Sequence, residues 1–180
     1  GEGRMVLINA LSLEAEWEEP YEKFNVNHGK FTVDQGHEID KEFMTSQEST
    51  YLHDENTRGF IKPYKGGRFA FVALLPDEGI EINDYVLSFT EEKMRGLLES
   101  QEPMMVFADL PKFEVEDGLG VKAPLMAMGL HKAWEAQEAD FSNLVETETE
   151  KLFMDRVIHK TFIQVDELGT KAGAVTSVAM

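Results

Sequence analysis

At 180 residues and 20.4 kDa, 42% hydrophobic and 10% aromatic, the chain is long enough for one domain with a real core and too apolar for disorder. Its 17 Lys+Arg against 34 Asp+Glu leave a formal net charge of −17, which repels phosphate backbones and argues against nucleic acid and anionic membranes as general partners. The absence of cysteine rules out disulfides, thiolate metal sites and cysteine nucleophiles, and no apolar run approaches the length of a membrane span.

In chain order, "MVLI" from Met5 to Ile8 reads as a strand buried on both faces, with no turn or cap before it. "FTVDQGHEIDKEFMTSQ", "STYLHDE", "RGFIKPY" and "GRFAFVALLP" read as short strands divided by turn residues. "YKGGRF" is a hairpin in which Gly66 and Gly67 supply the positive φ that such turns need. "SFTEEKMRGLLES" predicts a helix with Thr90 as N-cap, glutamates in the first turn, and Met94, Leu97 and Leu98 at helical spacing. "EPMMVFADLPKFEVEDG" returns to strand, interrupted by Pro111 as an edge or crossing point would be. "KAPLMAMGLHKAW" is a short helix with Gly129 near its end, and "EKLFMDRVIHKTFIQVDE" a long strand. A chain that starts in a central strand and stops in the strand-like "VDELGTKAGAVTSVAM" reads as a piece of a larger protein. There is no internal repeat and no low-complexity linker.

The residues suggest no familiar catalytic chemistry. The five histidines, His28, His37, His53, His131 and His159, lie far apart in sequence and outside any metal-ligand spacing, so His28, His37 and His53 are expected to hold no metal. "HDE" at His53 to Glu55 reads as a solvated turn. There is no G-x-S-x-G elbow and no glycine-rich phosphate loop. The glutamate pairs, as in "EWEEP" and "TEEK", read as solvated faces or first-turn charges. The expectation is a protein that is not an enzyme and uses no cofactor.

Five segments, "LINALSLEAEW", "IKPYKGGRFAFVALLPDEG", "LPKFEVEDGLGVKAPLMAMGLHKAW", "EADFSNL" and "VIHKTFIQVDELGTKAGAVT", resemble, in order and at compatible spacings, motifs of the serpins, the serine protease inhibitor superfamily. The resemblance covers essentially the whole chain. It implies an α+β fold of large, mostly antiparallel sheets with a few helices, and a single serpin domain fragment over residues 1–180. The helical first half would precede Gly1, and the end of the reactive loop and the last strands would follow Met180. The remainder of the serpin chain is therefore an implied partner.

The resemblance makes residues 169–180 the hinge of the reactive loop, with Gly169, Thr170, Lys171, Ala172, Gly173, Ala174, Val175, Thr176 and Ser177 as the segment that inserts into the main sheet. The residues themselves add a pattern. As a strand, Thr170, Ala172, Ala174, Thr176 and Val178 share one face, and Lys171, Gly173, Val175 and Ser177 the other. The first set is small and largely apolar, and the second carries the one charge. The expectation is a strand antiparallel to "RVIHKTFIQVD" and joined to it by a tight turn near Glu167 to Gly169. "MVLINAL" should flank its other side. Ala172 and Ala174 should be almost fully buried and Lys171 wet.

By the same resemblance, Asn9 and His159 sit beneath the sheet's opening, near each other or parted only by the inserted segment, and mostly buried. Trp17 sits at the sheet's upper end, and Glu167 with Lys112 forms a stabilising ion contact by the hinge. Leu168 stands where the family is commonly acidic, and Gly173 where alanine is usual. Neither puts a proline or a charge on the inward face. The implied function is a suicide inhibitor of a serine or cysteine protease, acting by loop cleavage and insertion. The alternative is a non-inhibitory serpin-fold binding or carrier protein. The resemblance leans to an extracellular or periplasmic location.

Overall fold

The computed structural model describes residues 6–33, 36–144 and 152–179. Nine strands dominate them: β1 (Val6–Glu16), β2 (Val26–Thr32), β3 (Glu38–His53), β4 (Thr57–Pro63), β5 (Ala70–Pro76), β6 (Glu102–Pro111), β7 (Phe113–Gly120), β8 (Arg156–Val165) and β9 (Gly169–Ala179). Helices α1 (Ile82–Leu87) and α2 (Glu91–Glu99) lie between β5 and β6, and α3 (Lys122–Ala127) follows β7. Single 3₁₀ turns occupy Lys23–Asn25 and Lys132–Trp134. The α+β class read from the sequence stands.

Two compact units divide the chain. The first comprises the described parts of Gly1–Glu14, Glu114–Gln164 and Lys171–Met180, and the second Ala15–Phe113 with Val165–Thr170. Most of a four-stranded sheet, ordered β1-β9-β8-β7, belongs to the first. In the second, a five-stranded sheet runs β2-β3-β4-β5, with β6 paired to β3.

The second unit is organised by β3, sixteen residues long and antiparallel to three partners. Its first half pairs with β2 (Val26↔Met44 to Thr32↔Glu38), its end with β4 (Tyr51↔Phe60), and its middle with β6 (Phe43↔Pro111 to Tyr51↔Glu102). A register shift between Glu48 and Thr50 bulges the strand. The core of this unit gathers Trp17, Met44, Leu52, Tyr64, Tyr85 and Leu97.

Several expectations held. Gly66 and Gly67 have φ of 85° and 64° in the β4–β5 hairpin, where Tyr64 N–H donates to the Phe69 carbonyl. Thr90 caps α2 by accepting from the Lys93 N–H at 3.2 Å, and Leu97 is buried. Pro111 ends β6, and after Lys112 the chain enters the other sheet as β7, so the proline does mark a crossing.

Others are corrected. "FTVDQGHEIDKEFMTSQ" is not one strand: β2 stops at Thr32 and β3 begins at Glu38, with Val33 N–H bonded to the His37 carbonyl and Gly36 at φ 77° in the reversal. "STYLHDE" is no separate element, because β3 runs on to His53. The strand of "EKLFMDRVIHK" starts only at Arg156, although its earlier residues 150 and 151 lie outside the described residues. Val6 and Ile8 are not buried on both faces: they are 55% and 70% exposed because nothing in the described chain layers over β1. Met5 lies outside the described residues. The six-residue α1 went unread because it is too short to establish a period.

Candidate functional site

The turn between β8 and β9 begins with Asp166, a residue not singled out from the sequence. Its carboxylate accepts from the Leu168 N–H at 2.9 Å and the Gly169 N–H at 3.2 Å, an Asx turn that reverses the chain within three residues. Asp166 N–H donates in turn to the Gly169 carbonyl. The signal was available in "DELG", a turn-forming Asp followed three residues on by Gly.

From this turn β9 runs antiparallel to β8. The bond between Asp155 N–H and the Ala179 carbonyl closes the far end, and His159 meets Thr176 part way along. On its other side β9 runs antiparallel to β1, as contacts at Trp17 with Leu168, Glu14 with Lys171, and Leu11 with Gly173 place in turn. The expected tight turn, direction and neighbours are all present. Both edges of β9 are hydrogen-bonded, so its backbone donors and acceptors are taken up in the ladder.

Burial along β9 follows the period-two partition at its start. Thr170 is 4% exposed, while Lys171 is 58% exposed with its Nζ 3.6 Å from Glu14 Oε1. Val175 also faces solvent. Ala172, Gly173, Ala174, Thr176, Ser177 and Val178 are half-buried. Ala172 and Ala174 therefore depart from near-complete burial, for the reason that applies to β1: the described chain provides no layer over this stretch of sheet.

In the second unit the start of β9 meets an aromatic wall. Trp17, fully buried, stacks on Tyr64 with centroids 4.6 Å apart and planes 7° from parallel, and meets Tyr21 edge-on at 6.4 Å. Its indole N–H donates to the Asp166 carbonyl at 2.8 Å and its backbone N–H to the Leu168 carbonyl at 2.9 Å. Tyr21 N–H donates to the Glu167 carbonyl. Tyr64 Oη donates to Thr170 Oγ1 at 2.6 Å. Gly169 is required here, because a Cβ on it would lie 2.1 Å from the Ala15 carbonyl oxygen and 2.9 Å from Glu16 Cα. Burial raises the Tyr64 phenol, and it raises that of Tyr21 to about 12.

Lys112 and Glu167 do pair, at 2.7 Å, and Lys112 also reaches Glu42 Oε2 at 3.1 Å, a third member the sequence reading lacked. The hydrogen bond from Lys112 holds the Glu167 carboxyl below its usual range, and the same bond raises the Lys112 ammonium.

In the first unit His159 Nδ1 and Thr176 Oγ1 lie 2.8 Å apart, with His159 half-buried. β9 stands between the strands of Asn9 and His159, as one of the two expected arrangements has it. Asn9 itself is exposed rather than mostly buried, on the uncovered β1. Of the three outlying histidines, His28 is on β2, His37 just precedes β3, and His53 closes β3, where its ring stacks on Tyr51 and lies 3.3 Å from Glu102 Oε1. Among the described residues no group of three His, Asp or Glu side chains could hold a metal.

A family model described as serpin (serine protease inhibitor) matches residues 1–180. Serpin B6 of Macaca fascicularis is 30% identical over 98% of the chain and 48% of its own length, and the leukocyte elastase inhibitor of Xenopus tropicalis is 30% identical over 97% and 48%. The crystal structure of a thermophilic serpin, tengpin, in the latent state superposes with a TM-score of 0.85 at 44% identity, covering 97% of this chain and 48% of that one. The chain thus spans about half the length of the relatives it matches. With the motif order, the sheet topology and the family match over residues 1–180 in agreement, the chain belongs to the serpin (serine protease inhibitor) family.

Proposed function

We propose that the whole protein containing this chain is a suicide inhibitor of a serine or cysteine protease and that residues 169–180 are the hinge of its reactive loop. The observation that carries this reading is the place of β9, an interior strand bonded on both edges between β1 and β8.

A segment of this length entering a sheet adds about ten ladder hydrogen bonds at roughly 1 kcal/mol net each, with apolar burial besides. That sum is comparable to the total stability of a domain, about 5–15 kcal/mol. Insertion of a cleaved loop is therefore downhill by enough to pull an acylated protease along and distort it before water reaches the acyl bond.

Each named residue has a task on this path. Gly169 lets the chain pass against Ala15 without a clash. Thr170 docks on Tyr64 at the wall headed by Trp17, the first step of entry. Glu167, held by Lys112, fixes the turn from which the strand zips down. Ala172, Gly173 and Ala174 are small enough to slide in, while Lys171, Val175 and Ser177 form the alternate face. Thr176 arrives on His159 and occupies the space between His159 and Asn9.

The test is incubation of the full-length protein with a panel of serine and cysteine proteases, followed by denaturing electrophoresis and thermal melting. The expected result is a complex that survives SDS, and a large rise in melting temperature once the loop is cut. Cleavage without a complex and without a rise would instead make the protein a non-inhibitory binding or carrier serpin.

A further inference from the structure

Two charges are buried in the second unit with no task in this scheme. Glu48 on β3 and Lys62 on β4 are 7% and 4% exposed at their side chains, and Lys62 Nζ meets Glu48 Oε1 at 2.7 Å. Replacing such a pair with apolar residues of similar volume is often neutral or stabilising, so stability alone is a poor reason for it. A second observation indicates what the pair does. Lys62 Nζ stands 4.4 Å from the centroid of the Tyr21 ring and 5.7 Å from that of Trp17, close enough to attract both ring faces.

We propose that the Glu48–Lys62 pair is a positioning device for hinge docking: it holds Tyr21 and Trp17 crossed so that Tyr64 presents its hydroxyl to Thr170. This rests on the insertion reading given above. The contacts form one chain within the unit. Glu48 anchors the ammonium, and the ammonium sits over Tyr21 and Trp17. Trp17 stacks on Tyr64, and Tyr64 donates to Thr170. The Trp17 indole N–H also donates to the Asp166 carbonyl at 2.8 Å, so tilting that ring displaces the turn itself, to which the Tyr21 and Trp17 backbone N–H groups are bonded at Glu167 and Leu168. A backbone bond from Glu18 N–H to the Pro63 carbonyl keeps β4 in register beside Trp17 and leaves the ring angles to Lys62. Glu48 and Lys62 bond each other and, through the ammonium, meet the two rings, so their effect on Thr170 passes through other side chains.

The experiment uses the full-length protein in a Trp134→Phe background, leaving Trp17 as the reporter within this chain. Glu48→Met/Lys62→Met removes both charges at similar volume, and Lys62→Arg keeps the cation. Near-UV circular dichroism reads the ring arrangement, thermal melting reads stability, and the number of inhibitor molecules consumed per protease inactivated reads docking speed. The double variant is expected to melt within a few degrees of its parent, to lose the Trp17 aromatic band, and to raise consumption about fivefold. Lys62→Arg should restore the band and most of the inhibition. An unchanged band in the double variant overturns the positioning role whatever the inhibition data say. Loss of the band with unchanged consumption overturns the link to docking. A parent that forms no complex with any protease refutes the inhibitory reading instead, and the band then decides the ring-positioning claim by itself.

Discussion

Tyr64 and Thr170, 106 residues apart, share a 2.6 Å hydrogen bond, and each residue is only 4% exposed. Removing the phenol oxygen leaves the Thr170 hydroxyl buried without its donor. Tyr64→Phe is therefore expected to destabilise the form with β9 seated between β1 and β8 by about 1–3 kcal/mol, measured by chemical denaturation. Thr170→Val in the Tyr64→Phe background should recover part of that loss, because the orphaned hydroxyl is gone.

Gly169→Ala should be worse than its single methyl suggests. The added Cβ would fall 2.1 Å from a backbone oxygen, which has no rotamer by which to yield. A cost of about 1–3 kcal/mol or more is expected from such overpacking, with β9 failing to seat at its first residue. Proteolysis reads this directly: residues 169–171 should become cleavable in the variant and stay resistant in the parent.

Lys112 and Glu167 confer a pH dependence with a definite sign. The folded-state Glu167 carboxyl is lowered, so its contribution is present above the unfolded value, about 4.3, and is lost as pH falls through the lower folded value. Lys112 is raised, so its contribution is present below about 10.4 and is lost as pH climbs through the higher folded value. With both side chains about a quarter exposed, the pair is worth about 0–1 kcal/mol after solvent screening. Glu167→Gln should flatten the acid limb of the stability profile below about pH 4.3, with little effect at neutral pH.

Tyr21 titrates late. Burial, opposed by the Ser46 hydrogen bond and reinforced by the Glu48 charge, pushes its phenol to about 12. Its neutral form is the folded form, so this contribution is complete below about 10 and lost as pH rises through 12. Spectrophotometric titration should find a phenol that ionises only as the protein unfolds, and Tyr21→Phe should remove it.

The parts of the fold read correctly were those whose physics is local. The glycine pair at Gly66 and Gly67 and the Thr90 cap are decided within four residues, and both were legible. The partition of β9 into a buried Thr170 and a wet Lys171 followed from side-chain alternation. The positions of Trp17, His159 and the Lys112–Glu167 pair came from resemblance and could not have come from spacing. Burial on β1 and at Ala172 and Ala174 failed because an apolar residue states a preference, and a neighbouring layer must be present to satisfy it. Glu48 and Lys62 were invisible for another reason: in sequence they look like ordinary surface charges, and only the pairing of β3 with β4 and β6 reveals that both are interior.

The same pairing sets the order in which the second unit can loosen. β3 shares its ladder with β2, β4 and β6, so no one of those three can free it by leaving. Among the described strands, β5 pairs with β4 alone, and β2 and β6 each with β3 alone. Solvent deuterium should therefore enter at β2, β5 and β6 first, through fraying that costs little, and come last to the amides that bond β3 to β4, among residues 51–53 and 58–60. Those few positions act as a clock for global opening, while the margins of the same sheet report only local breathing.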